Sequence, residues 1–119
     1  MRGLGELERR VMDVLWTESA ARTVREVHGV LVTERDIAYT TVLTVLDNLH
    51  AKGWAARERR GRAWVYSPTR SREEAGAEAL RQVLESSGDP QGVLLHFARA
   101  MDADETAFLR QVLDRQDPS

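Results

Sequence analysis

Apolar residues recur at helical spacing through the first fifty positions. Leu4, Leu7, Val11, Val14 and Leu15, with Glu6, Glu8, Arg9, Arg10 and Asp13 between them, predict an amphipathic helix ending near Thr17, with Trp16 packed at its end. Thr23, with Glu26 three residues later, has the spacing of a capping box. Val24, Val27, Val30 and Leu31 form the stripe of a second helix, expected to run to Thr33 or Glu34. Residues 20–22 can add a small extended piece. The third pattern, "AYTTVLTVLDNLHAKGW", buries Val42, Val45, Leu46 and Leu49 on one narrow stripe, predicting a helix over about residues 39–52. Its opposite face carries Thr40, Thr44, Asp47, Asn48 and Ala51, flanked by Thr41 and Leu43. Lys52-Gly53 supplies a basic last turn and a terminating glycine.

The period then changes. "WAARER" and "RAWVYS" alternate as two short strands, with Arg60-Gly61 expected as the turn and Pro68 as the end of the second strand. Three helices and a hairpin in this order predict a winged helix-turn-helix. Beyond "SPTR" the pattern is helical again. Ser71 with Glu74 opens a helix through Leu80, Val83 and Leu84 to Ser87, "SGDP" breaks it, and "GVLLHFARAM" follows as a short apolar helix. A last helix in "DADETAFLRQVLDR" is capped by Asp102 with Glu105. These 49 residues hold little core of their own and gain stability by packing on a second copy. The expected architecture is mainly α with a small β-hairpin wing: residues 1–70 as a winged helix-turn-helix DNA-binding domain, and 71–119 as a helical dimerisation region.

Composition narrows the class. The chain has 119 residues, no cysteine and a formal net charge of -2, so disulfide, thiol and thiolate-metal chemistry are excluded. No apolar run approaches the ~20 residues of a membrane span, and the N-terminus lacks a signal-peptide core, so a soluble cytoplasmic protein without membrane insertion is expected. The charge is unevenly spread. Residues 1–70 hold 12 Lys/Arg against 9 Asp/Glu, a balance of +3, and residues 71–119 hold 5 against 10, a balance of -5. Such asymmetry suits a first half that meets a polyanion.

Arg57, Arg59, Arg60 and Arg62 crowd around Gly61, where they can neutralise backbone phosphates or lay an arginine in a minor groove. A charged strand edge that blocks aggregation has the same look. Likewise Thr40, Thr41 and Thr44 suit a helix approaching base edges, yet an ordinary solvated face would read alike, and Asp47 favours that second reading. The order of capped helices followed by the basic hairpin favours double-stranded DNA. Trp64 and Tyr66 share a strand face and read as support for core or wing ahead of base stacking. His28, His50 and His96 are scattered, with no catalytic motif, metal set or cofactor loop around them. An enzyme is not expected. An interaction module whose basic wing docks an acidic protein is the alternative to DNA binding.

The segments "LGELERRVMDVLW", "TVREVHGVL", "AYTTVLTVLDNLHAKGW", "RRGRAWVYSP" and "LLHFARAMDADETAFLRQVLDR" together resemble the BlaI/MecI (penicillinase repressor) family of bacterial repressors. The resemblance implies a homodimer on a palindromic operator; from the polar face described above, Thr40, Thr41 and Thr44 are expected to face bases. Tyr39 and Leu43 stand at the margin of that set, Asn48 is a further DNA-binding candidate on the same face, and Arg57, Arg59, Arg60 and Arg62 are expected to grip backbone or minor groove from the wing. The resemblance places the dimer in the C-terminal helices, where contacts are expected through Leu80, Val83, Leu84, Leu94, Phe97, Met101, Phe108, Leu109 and Val112. In antibiotic-responsive members a membrane sensor protease pathway leads to cleavage at an Asn-Phe bond in an "LNF"-like stretch. The matching residues here are Leu95, His96 and Phe97, with histidine replacing asparagine. Copper-responsive relatives carry a cysteine-rich C-terminal tail; this sequence has no cysteine, so that sensing chemistry is not expected. Ala38 stands where many relatives place a capping serine, and Asn48 where a cation is common.

Overall fold

The structure, a computed structural model, describes residues 3–17 and 21–116. Its elements are α1 (Glu6–Thr17), β1 (Arg22–Thr23), α2 (Val24–Leu31), α3 (Tyr39–Ala51), β2 (Ala55–Arg60), β3 (Ala63–Pro68), α4 (Arg72–Ser86), α5 (Pro90–Ala100) and α6 (Ala103–Gln116). The chain divides into two compact units, residues 1–79 and 80–119.

In the first unit the apolar stripes of α1, α2 and α3 meet. Val11, Met12, Leu15, Val27, Leu31, Val42, Leu46 and Leu49 have no exposed surface. The capping box opens α2 as expected: the Glu26 amide donates to Thr23 Oγ1 at 3.1 Å, and the Thr23 amide to Glu26 Oε1 at 2.9 Å. The end of α2 differs from the expectation. It closes at Leu31, ahead of Thr33 and Glu34, where the Thr33 and Glu34 amides turn back to the carbonyls of Val30 and Leu31. A tighter i to i+3 turn replaces the last helical turn there. α3 begins at an uncapped Ala38, so its first amides lack the side-chain partner that a serine would give. Gly53, with φ of 84°, terminates it.

The three strands order as β1-β3-β2, both pairs antiparallel. The extended piece expected at 20–22 is found as Arg22–Thr23, which pairs with Tyr66 and Val65; Ala20 lies outside the described residues. The hairpin turn falls one residue later than expected. Arg60 pairs with Ala63, leaving Gly61-Arg62 as the two-residue turn. Only Gly61 has positive φ, 62°, the pattern of a II′ hairpin in which glycine takes the first central position. The first half of α4 completes this unit: Ala75 is buried, and Arg72 pairs with Asp13 while lying over the Trp16 ring.

The second unit comprises the end of α4 with α5 and α6. Asp89 caps α5 by accepting from the Gly92 amide at 3.0 Å, and Asp102 with Glu105 forms the expected box at α6. None of its described residues is buried. Leu80, Val83, Leu94, Phe97, Phe108 and Leu109 are exposed, whereas Leu84, Met101 and Val112 are half-buried. Among the described residues no helix is long and apolar enough to cross a membrane.

Candidate nucleic-acid interface

Burial of Val42, Val45, Leu46 and Leu49 turns the other side of α3 outward, so Thr40, Thr41, Thr44 and Asn48 are all exposed. The Thr44 hydroxyl donates to the Thr40 carbonyl at 3.0 Å, which leaves its oxygen lone pairs and methyl for an approaching surface. Tyr39 and Leu43 lie toward the wing. Together with Thr23, Arg25, Arg62 and Trp64 they line an open cleft of about 430 Å³. The helix and the wing tip therefore border one common depression.

Strand register sorts the arginines. Arg57 stands opposite Tyr66 and Arg59 opposite Trp64, so these four share one face of the hairpin; Glu58 and Arg60 lie on the other. Arg57 and Arg59 place their guanidinium carbons 4.6 and 5.5 Å from the Trp64 ring centre, a cation-π stack that stiffens the wing. Trp64 keeps 38% of its surface exposed, whereas Tyr66 is wholly buried. One aromatic thus braces the wing and the other joins the core. Arg60 pairs with Glu58 through Nη2 at 2.7 Å. Arg62, at the turn, has no ion-pair partner among the described residues.

Asp47 is the residue whose part the sequence concealed. Far from being an idle carboxylate on a solvated face, its Oδ1 accepts from the Tyr66 hydroxyl at 2.7 Å and from Arg57 Nη1 at 3.1 Å. Burial first, and then this bond to Asp47, push the Tyr66 phenol above its ordinary pKa. The partners lie 10 and 19 residues along the chain, outside any helical or strand period.

Two histidines are structural. His28 Nε2 hydrogen-bonds the Ile37 carbonyl at 2.9 Å and its ring meets Tyr39 edge-on, so α2 anchors the approach to α3. His50 Nδ1 joins the Ala55 carbonyl at 3.1 Å, tying the end of α3 to β2. His96 is exposed within α5 beside Leu95 and Phe97. A protease would reach the His96–Phe97 bond in extended form only after that helix opens.

The penicillinase repressor family model matches residues 4–115. The chain belongs to the penicillinase repressor family. Among its relatives, the transcriptional regulator BlaI of Mycobacterium tuberculosis is 46% identical over 114 residues, covering 92% of this chain and 82% of that protein. The solution structure of the DNA-binding domain of the repressor BlaI superposes with a TM-score of 0.55 at 28% identity, covering 60% of this chain and 87% of that one. A mutant MarR from E. coli, solved in complex with operator DNA, shares the fold at a TM-score of 0.51 and 23% identity, over 98% of this chain and 77% of that one. Membership of the penicillinase repressor family places the chain among winged-helix transcriptional regulators, not enzymes.

Proposed function

We propose that this member of the family is a homodimeric repressor that binds a palindromic operator through residues 1–70 and dimerises through residues 71–119. The observation that carries the reading is the common cleft, with Tyr39 and Leu43 at the edge of the exposed face of α3 on one side and the Arg62 turn on the other. A helix that buries one stripe and exposes short polar side chains can enter a major groove, while a flanking wing reaches backbone or minor groove. Thr40, Thr41 and Thr44 read bases, with Tyr39, Leu43 and Asn48 at the margin. Arg59, Arg60 and Arg62, with Arg57 behind them, supply the charge that meets phosphates. The identity to BlaI and the operator complex of the MarR fold support this assignment.

The exposed apolar side chains of α4 to α6 support a dimer. Leu80, Val83, Leu94, Phe97, Phe108 and Leu109 would meet their counterparts, with Leu84, Met101 and Val112 completing the contact. Should release follow the proteolytic route of the antibiotic-responsive relatives, starting from a membrane sensor, the cut would fall at His96–Phe97, within this same surface.

A gel-mobility shift tests the reading, using a duplex from upstream of the protein's own gene and an unrelated duplex of equal length at two salt concentrations. The expected result is preferential retardation of the first, with affinity falling steeply as salt rises. Equal retardation of both sinks the operator reading. Absence of binding to either, with capture of an acidic protein instead, would favour a docking module.

A further inference from the structure

Beyond the His50–Ala55 bond at the base of the hairpin, one carboxylate joins the wing to the recognition helix. Asp47 projects from α3 one turn beyond Thr44, and its Oδ1 receives both the Tyr66 hydroxyl from β3 and Arg57 Nη1 from β2. Arg57 is in turn stacked over Trp64, 4.6 Å from the ring centre, and Arg59 flanks the same ring at 5.5 Å. A continuous set of contacts therefore runs from the helix through Asp47, Arg57 and Trp64 to the outer wing. β1 pairs with β3 at Tyr66 and Val65 and His50 holds the start of β2, so the base of the hairpin is anchored, whereas from Arg59 to Trp64 only the β2–β3 ladder joins the strands. Asp47 meets the hairpin where that anchored base ends, and so bears on the angle of the outer wing.

Charge alone gives Asp47 the wrong sign for this surface. A carboxylate close to phosphates weakens binding, so its removal should strengthen attachment to any duplex. The geometry gives the residue another task. We propose that Asp47 is a positioning residue that sets the angle of the wing against the recognition helix, and that it withdraws Arg57 from phosphate contact to serve as the strut between them. The inference rests on the DNA-binding reading above and divides its four arginines: Arg59 and Arg62 meet the backbone, Arg57 holds the wing, and Arg60 is shared with Glu58.

The test has an arm without DNA and an arm with it. In the first, chemical unfolding of D47A, Y66F and the double variant gives a thermodynamic cycle. The strut predicts that the two substitutions are coupled by about tenfold in the unfolding equilibrium, as for a hydrogen bond to a charged group. Independent effects would overturn the contact whatever the DNA results. In the second arm, D47A, D47N, R57A and R62A are titrated with the upstream duplex and the unrelated duplex across a salt series.

The proposal expects D47A to lose roughly fivefold of the preference for the upstream duplex, the scale of leaving one long side chain to be ordered on binding. D47N, which still accepts from Tyr66, should keep most of that preference. R57A should weaken specific binding at an unchanged salt slope, whereas R62A should flatten the slope by about 0.9. A role confined to stability would lower the melting temperature without changing the preference of the folded protein. Should D47A tighten both duplexes equally, or R57A flatten the slope as R62A does, the positioning role is wrong. Failure of the wild type itself to prefer the upstream duplex, with the unfolding cycle still coupled, would instead remove the operator reading and leave the strut as a fold-stabilising contact alone.

Discussion

Replacing Phe108 by alanine probes the proposed dimer where its energy should be greatest. Phe108 retains 67% of its surface in the isolated chain, the largest fraction among the exposed large apolar residues. A phenylalanine buries on the order of 200 Å² when covered, so roughly 130 Å² is open to a partner. At about 25 cal/mol per Å² that area corresponds to about 3 kcal/mol in each chain, and a twofold interface contains it twice. Area converts incompletely to affinity; even half of the total, about 3 kcal/mol, raises the dimer dissociation constant about 100-fold. Sedimentation equilibrium from nanomolar to micromolar concentration reads this directly. W64A serves as the control, because it removes an exposed aromatic from the wing and should leave assembly unchanged. An F108A protein that associates as tightly as the wild type would refute the reasoning, and a wild type that remains monomeric at micromolar concentration would refute dimerisation through residues 71–119 altogether.

Other expectations concern the fold and the wing. T23A removes one half of the α2 capping box and should cost about 1 kcal/mol in chemical unfolding; no measurable loss would mean the bond is not maintained in solution. L46A empties a fully buried position on α3 and should cost about 2–5 kcal/mol by the same measurement, with a loss below 1 kcal/mol contradicting the assigned core. The backbone bond to Thr23 holds the Glu26 carboxyl below its ordinary pKa. Its contribution is present above the unfolded value and lost as pH falls through the depressed folded value, so stability should drop in the acid range. E26Q should show a shallower loss across that range, and an identical melting profile against pH would count against this linkage. R60A should flatten the salt slope of DNA binding by less than R62A does, because Arg60 is already paired with Glu58.

Much of the fold was legible because it is local. The i, i+3, i+4 stripe of α3 fixed which side is buried and therefore that Thr40, Thr41, Thr44 and Asn48 face outward. The pairs Thr23–Glu26, Ser71–Glu74 and Asp102–Glu105 were readable since a capping box spans only three residues. The C-terminal helices were equally plain, and the lack of buried side chains in α5 and α6 follows from apolar stripes too small to enclose a core. The errors were also local. The hairpin turn moved from Arg60-Gly61 to Gly61-Arg62 because a glycine is suited to either central position, and only strand pairing selects between them.

What the sequence by itself determined is the list of surfaces: a polar helix face, a basic turn, and exposed apolar helices. Tertiary structure decided which charges remain free on them. Arg57, Arg59, Arg60 and Arg62 look equivalent in one dimension, but alternate strand positions face opposite ways, which sends Arg57 and Arg59 to Trp64 and Arg60 to Glu58. Asp47 looked like a poor neighbour for phosphate and became the carboxylate that Arg57 and Tyr66 share. The physical reason is that periodicity reports what a side chain turns toward or away from, while a partner ten or nineteen residues away is chosen only when the chain folds back.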